Sequence, residues 1–129
     1  MSDNPFRNVL GTALEPCNPA LSAGFYRTGC CETRDGDPGN HSVCAEMTED
    51  FLRFSAARGN ELRTPLPQLD FPGLAPGDRW CLCAARWQEA LEAGVAPPVV
   101  LEATEDIALE VVRMRDLQNH AVVDDTTDR

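Results

Sequence analysis

The stretch Pro76-Gly77-Asp78-Arg79-Trp80-Cys81-Leu82-Cys83-Ala84-Ala85-Arg86-Trp87 decides how the chain is read. Pro-Gly-Asp is a turn signal, because proline presets φ and glycine accepts a positive one. After it, Trp80, Leu82 and Ala84 alternate with Cys81, Cys83 and Ala85, which is the period of two of a β-strand. Both thiols therefore leave one face of that strand. From Ala85 the period becomes helical, with Trp87, Ala90, Leu91 and Gly94 at i, i+3, i+4 and i+7. A turn, a strand carrying two thiols and a helix thus follow one another at once.

Upstream, Thr48 is placed as a helix N-cap, with Glu49 and Asp50 in the first turn where the helix dipole favours negative charge. Met47, Phe51, Leu52 and Phe54 give this helix an apolar side, and Gly59-Asn60 ends it. His41 to Ala45 is a strand candidate. Asn8 to Gly11 reads as a short strand or extended entry, and Gly24 to Cys31 as a short strand or bulge whose glycines permit close backbone approach. Arg34 to Asn40 is an exposed glycine loop. Pro65, Pro67, Pro72 and Pro76 make residues 64–76 an irregular connection that Phe71 and Leu74 pin to the core.

Downstream, Ala96-Pro97-Pro98-Val99-Val100-Leu101-Glu102-Ala103 reads as a strand restricted by proline at its start. Thr104 is expected to cap a short helix through Val111, and Asp116–Ala121 to form a last one. The fold expected is α+β. A small mixed or antiparallel sheet of three to five short strands, including Trp80–Ala84 and Val99–Ala103, is packed by three or four helices. The helices Glu49–Arg58 and Ala85–Ala93 need one shared surface to cover.

The 129 residues are expected to form a single domain, with an ordered core of about 8–121 and a disordered tail over 122–129. The net charge is -10, from 21 Asp and Glu against 11 basic residues, every one of them Arg. Such a chain repels phosphate backbones and anionic lipid, so neither nucleic acid nor a membrane is expected as a partner. The absence of Lys excludes a Schiff-base lysine and a Walker-type phosphate loop. Residues 1–7 have no apolar run of a signal peptide, and the longest apolar run, Val95–Leu101, contains two prolines. A cytoplasmic location follows as the expectation, with the six cysteines mostly reduced.

Several blocks in one order carry a resemblance. They are Gly24-Phe25-Tyr26-Arg27, Gly29-Cys30-Cys31, His41-x-Val43-Cys44-Ala45, Phe51-Leu52-x-Phe54-Ser55 and Gly59-Asn60 in the first half. In the second half come Phe71-Pro72-Gly73-Leu74, Pro76 to Cys83, Arg86-Trp87 and Ala96-Pro97-Pro98-Val99. From about Asn8 to Ala121 the chain resembles the bacterial domain-of-unknown-function 2237 family. The resemblance implies a soluble, single-domain bacterial protein and supplies no reaction. The chain departs from the family pattern at Thr28, where Asp is expected, and at Glu105, where His is expected.

The chemistry to be read from the residues lies in the thiols. No C-x-x-C occurs, so neither a zinc ribbon nor a thioredoxin-type motif is supported. The thiols are scattered as Cys17, the pair Cys30-Cys31, Cys44 three residues after His41, and Cys81 with Cys83. Adjacent residues of a strand face opposite sides, so only one of Cys30 and Cys31 is expected in a given cluster. Residues two apart on a strand have Cα atoms roughly 6.5 Å apart, the upper edge of disulfide geometry, so Cys81 and Cys83 suit parallel ligands or neighbours better than a relaxed disulfide.

A zinc or iron centre would draw its ligands from Cys30 or Cys31, His41, Cys44, Cys81 and Cys83. The competing readings are a reactive thiol beside Arg79 or Arg86, and unreactive cysteines packed as small hydrophobes without any metal or cofactor. Arg79-Trp80 and Arg86-Trp87 are candidates for a cation–π wall holding an anionic or planar ligand; the plainer alternative buries the indoles and turns the arginines outward. His120 is expected as a solvated residue at a helix end, and no nucleophile elbow, triad or phosphate loop is present. The function expected is a small binding protein with a cysteine-lined site for a metal ion or small molecule. The alternatives are a thiol- or metal-dependent enzyme and a structural protein with inert core cysteines.

Overall fold

The computed structural model describes residues 6–33 and 39–122. Among these, the elements are strand β1 (Val43–Glu46), helix α1 (Glu49–Ala57), strand β2 (Arg79–Leu82), helix α2 (Ala84–Glu92) and helix α3 (Met114–Asn119), joined by short 3₁₀ turns. β1 and β2 form an antiparallel ribbon with Val43 opposite Leu82, Cys44 opposite Cys81, Ala45 opposite Trp80 and Glu46 opposite Arg79. The fold is mixed α and β, with three helices and a two-stranded sheet.

Each helix starts and stops for an identifiable reason. Thr48 has extended backbone geometry and its hydroxyl accepts the Phe51 N–H at 3.1 Å, capping α1. Gly59 follows the helix at φ 89°, and the Asn60 N–H returns to the Ser55 carbonyl at 2.9 Å. α2 opens at Cys83, whose carbonyl accepts the Trp87 N–H at 3.1 Å, and closes before Gly94 at φ 79°. Both helices bury an apolar stripe, Phe51 and Leu52 from α1 and Trp87 and Ala90 from α2.

These stripes meet one face of the ribbon. Val43, Ala45 and Leu82 join Phe51, Leu52, Trp87, Ala90, Val99, Val112 and Leu117 in the main core, with Phe71 and Leu74 pinning the proline-rich connection to it. Trp87 is fully buried, and its indole N–H donates to the Pro97 carbonyl at 3.0 Å.

The sheet is narrower than the sequence suggests. The strand expected at Val99–Ala103 is replaced by single bridges from Val99 to Ala45 and to Ala121, followed by a 3₁₀ turn over Leu101–Ala103. The segment does lie beside β1: Pro98 O accepts from Glu46 N, and Val100 N donates to Cys44 O, both at 2.8 Å. Pro97 and Pro98 bring no N–H to a ladder. At its other end, the Thr104 hydroxyl takes the Cys44 N–H at 3.1 Å and donates to Val100 O at 2.9 Å. A side chain thus ends what a strand would have continued.

Three further expectations change. Thr104 does not cap a helix; the short helix there is a 3₁₀ run over Asp106–Glu110. The last helix is α3, beginning two residues before Asp116. Gly24–Cys31 forms turns and not a strand. The loop expected at Arg34–Asn40 falls largely outside the described residues, as does the tail from residue 123 onward. No helix among the described residues is long and apolar enough to cross a membrane.

Candidate functional site

The second face of the ribbon carries cysteines. Residues 43, 45, 80 and 82 are spaced by two and turn toward the main core, so Cys44 and Cys81 turn the other way. The Cys44 N–H and C=O both bond to the 100–104 segment, away from β2. Cys44 and Cys81 are therefore a non-hydrogen-bonded pair of the ladder, the kind whose Cα atoms approach to roughly 4.5 Å and whose side chains lie closest.

The 17–31 loop folds over that face, and its glycines determine how tightly. Gly24 and Gly29 take φ values of 101° and 91°, a region that L side chains rarely adopt. A Cβ on Gly29 would stand 2.8 Å from the Pro19 Cα, and one on Gly24 would strike the Cys30 carbonyl. With no Cβ in the way, Gly29 O accepts from Cys17 N at 2.8 Å and Asn18 N at 3.0 Å, while Gly29 N donates to Ala23 O at 2.8 Å. Asn18 Nδ2 ties the loop to β2 through the Arg79 carbonyl at 3.0 Å.

Cys17 and Cys31 thereby arrive above Cys44 and Cys81. Two disulfides join the layers: Cys17–Cys44, with Cα atoms 5.8 Å apart, and Cys31–Cys81, with Cα atoms 5.2 Å apart. All four residues are buried, in a small apolar cluster with Ala23 and Ala103. The two bridges lie side by side: the sulfurs of Cys17, Cys31 and Cys81 are within 4.8 Å of one another, and Cys44 is bonded to the first. Four of the six cysteines are thus paired, where mostly reduced thiols were expected. The fold places Cys17 and Cys31 of the loop each against one cysteine of the ribbon, at a separation that suits bonding.

Of the ligands the sequence proposed, Cys31, Cys44 and Cys81 are gathered here with Cys17; Cys30, His41 and Cys83 stand elsewhere. Of the adjacent pair, Cys31 points into the cluster, while Cys30 is a free thiol. Its thiol pKa is pushed up by partial burial and by the nearby Glu32 carboxylate. Cys83 does not share the strand face with Cys81 because the strand ends at Leu82 and Cys83 already caps α2. It is the second free thiol. It lines a cavity of about 310 Å³ together with His41, Asn60, Leu62, Trp80, Cys81 and Arg86.

The Arg-Trp pairs divide. Trp80 and Arg86 reach this cavity. Trp87 is core and stacks edge-on against His120, whose Nδ1 lies 3.0 Å from the Asp116 carbonyl. Arg79 pairs at the surface with Glu46 at 3.8 Å. His41 stacks on Phe25 with ring centroids 5.6 Å apart.

Glu105 is buried. Its Oε1 accepts the Thr33 N–H at 2.7 Å and the Thr33 hydroxyl at 2.9 Å. Burial holds its carboxyl above the usual glutamate range, outweighing the two hydrogen bonds that favour the anion.

Compared with known proteins, residues 7–121 match the family model described as an uncharacterized protein conserved in bacteria, DUF2237. No curated protein matches the chain.

Proposed function

We propose that this chain, which belongs to the DUF2237 family of bacterial proteins, is a small binding protein whose reduced Cys17, Cys31, Cys44 and Cys81 hold one thiophilic metal ion such as zinc or ferrous iron. The observation that carries the reading is the convergence of the two bridges. Disulfides that only staple a loop have no need to adjoin, whereas here the sulfurs of Cys17 and Cys31, from the two ends of the loop, and of Cys81, from β2, lie within 4.8 Å of one another, and Cys44 is bonded to Cys17. A tetrahedral ion with sulfur ligands at about 2.3 Å sets its sulfurs about 3.8 Å apart. The Cys17, Cys31 and Cys81 sulfurs already form a close group, and Cys44, released from Cys17 on reduction, is the fourth ligand that its side chain would have to turn in.

The two states then exclude one another. Reduction by a dithiol delivers two electrons and two protons to each bridge, giving four thiols. The ion displaces protons from these thiols as it binds, so its affinity rises with pH. Oxidation reverses the sequence and releases the ion. Burial favours the metal, because a ligand set closed to water has no open position for substrate, as in structural sites. Elemental analysis of protein purified without a metal-affinity tag, under reducing conditions, tests the proposal. One equivalent of zinc or iron, lost in Cys44→Ser and kept in Cys83→Ser, is the expected result. Metal-free protein retaining both bridges under those conditions would make the cysteines staples only.

A further inference from the structure

The cavity beside Cys83 is separate in chemistry from the cysteine cluster. The chain carries 21 carboxylates, and other cavities of its surface include them: Glu46 in one, Asp70 in a second, and Glu105, Asp106 and Glu110 in a third. The cavity of about 310 Å³ has none among its described lining residues. Its polar lining is instead Arg86, His41, Asn60 and the Cys83 thiol, over apolar walls from Trp80, Leu62 and Leu82. In an acidic protein, the described lining of this pocket is set apart by one arginine and no carboxylate.

Its parts are held in place. Arg86 sits on α2, three residues after Cys83, and among the described residues one nitrogen of its fork is engaged: NH1 donates to the Arg58 carbonyl at 3.2 Å and lies 3.5 Å from Glu89. His41 is fixed between its stack on Phe25 and the Cα of Gly39, where an added Cβ would stand 2.6 Å from the imidazole. Cys83 is a partly exposed free thiol, and its neighbour Cys81 is already bonded to Cys31. The size is at the lower end of small-molecule sites, about 300 Å³ upward.

We propose that this cavity binds a small carboxylate-bearing disulfide, which Cys83 accepts as a mixed disulfide. The carboxylate lies on the free edge of the Arg86 guanidinium and the body of the molecule on Trp80. The Cys83 thiol gives its proton to water, and its sulfur attacks the nearer sulfur of the bound disulfide. The S–S bond of the ligand breaks, the Cys83–sulfur bond forms, and the other half leaves as a thiolate with the electron pair. The two buried bridges take no part.

The test uses the oxidised protein carrying Cys30→Ser, in which Cys83 is the one free thiol. Its rate with the dicarboxylate dithiobis(nitrobenzoate) is divided by its rate with the neutral dithiodipyridine. The same ratio is taken for Cys30 in Cys83→Ser, where Glu32 repels the anion. The ratio at Cys83 is expected to exceed that at Cys30 by about threefold or more, the scale of one partly exposed charge pair. It falls by about threefold in Arg86→Gln, the scale of that one charge pair, and returns in Arg86→Lys. A ratio unmoved by Arg86→Gln, or a Cys83 thiol inert to both reagents in the folded protein, would overturn the proposal.

Discussion

Cys44 and Cys81 face each other directly across β1 and β2, yet neither bonds to the other. Each is joined instead to the loop above it, so the ribbon and the 17–31 segment form two layers held by sulfur. The bridged residues are 27 and 50 positions apart, spacings for which loop entropy alone contributes about 3.5 and 4 kcal/mol. Reducing both bridges in the presence of a chelator should lower stability by about 3 kcal/mol or more, read as the urea midpoint against untreated protein. An unchanged midpoint would mean the loop is held without its bridges.

Gly29→Ala should disturb those bridges from outside the cluster. The added Cβ meets backbone at Pro19, which cannot yield as a flexible side chain would. The positive φ adds strain of about 1 kcal/mol or more. Mass spectrometry after alkylation of the oxidised protein should count more free thiols than the two of the parent. Gly59→Ala is the control, since its Cβ would meet open space at a similar φ.

Trp87→Phe should cost about 2–3 kcal/mol. It leaves a void in a fully buried position and removes the donor from the Pro97 carbonyl. Chemical denaturation measures the loss; a change under about 0.5 kcal/mol would contradict the packing described.

Glu105 supplies a pH dependence with a definite sign. Its carboxyl is held above the usual range by burial, so the folded state binds the proton more tightly than the unfolded chain does. The resulting stability is fully present below the ordinary glutamate pKa and is lost as pH rises through the raised folded value. Glu105→Gln keeps an Oε1 to accept from Thr33 but does not ionise. The variant should therefore gain stability relative to the parent between about pH 4 and pH 7, where glutamate ordinarily ionises. Urea unfolding at both pH values checks it, and a constant difference would contradict it.

Much of the fold was legible because local signals agreed. Thr48 with Glu49 and Asp50, the apolar period from Phe51, and Gly59 all specify α1, which runs Glu49–Ala57. The period change after the Pro76-Gly77-Asp78 turn specifies β2 and α2 within a residue or two. Val99–Ala103 was misleading, because a run of apolar residues after prolines has strand composition whether or not a ladder forms. What decides there is the Thr104 hydroxyl on the Cys44 N–H, a contact between residues 60 apart. Cys17 shows the same limit. It lies in an aperiodic loop between Pro16 and Asn18, and only the folding of Gly24 and Gly29 brings it to the ribbon. Alternation alone puts Cys83 on the strand face, but the strand stops one residue short of it.

The central claim is that four buried sulfurs make one metal site when reduced. Cobalt(II) titration of the reduced protein reads both the ligand type and the geometry. One equivalent should bring up thiolate-to-cobalt charge-transfer bands together with the intense visible bands of a tetrahedral ion. Zinc should abolish both, and neither should develop in Cys17→Ser or Cys81→Ser. Cys30→Ser and Cys83→Ser should titrate as the parent does. A reduced, folded protein that shows no charge-transfer band with excess cobalt would contradict the account, as would a band lost in Cys83→Ser and kept in Cys17→Ser.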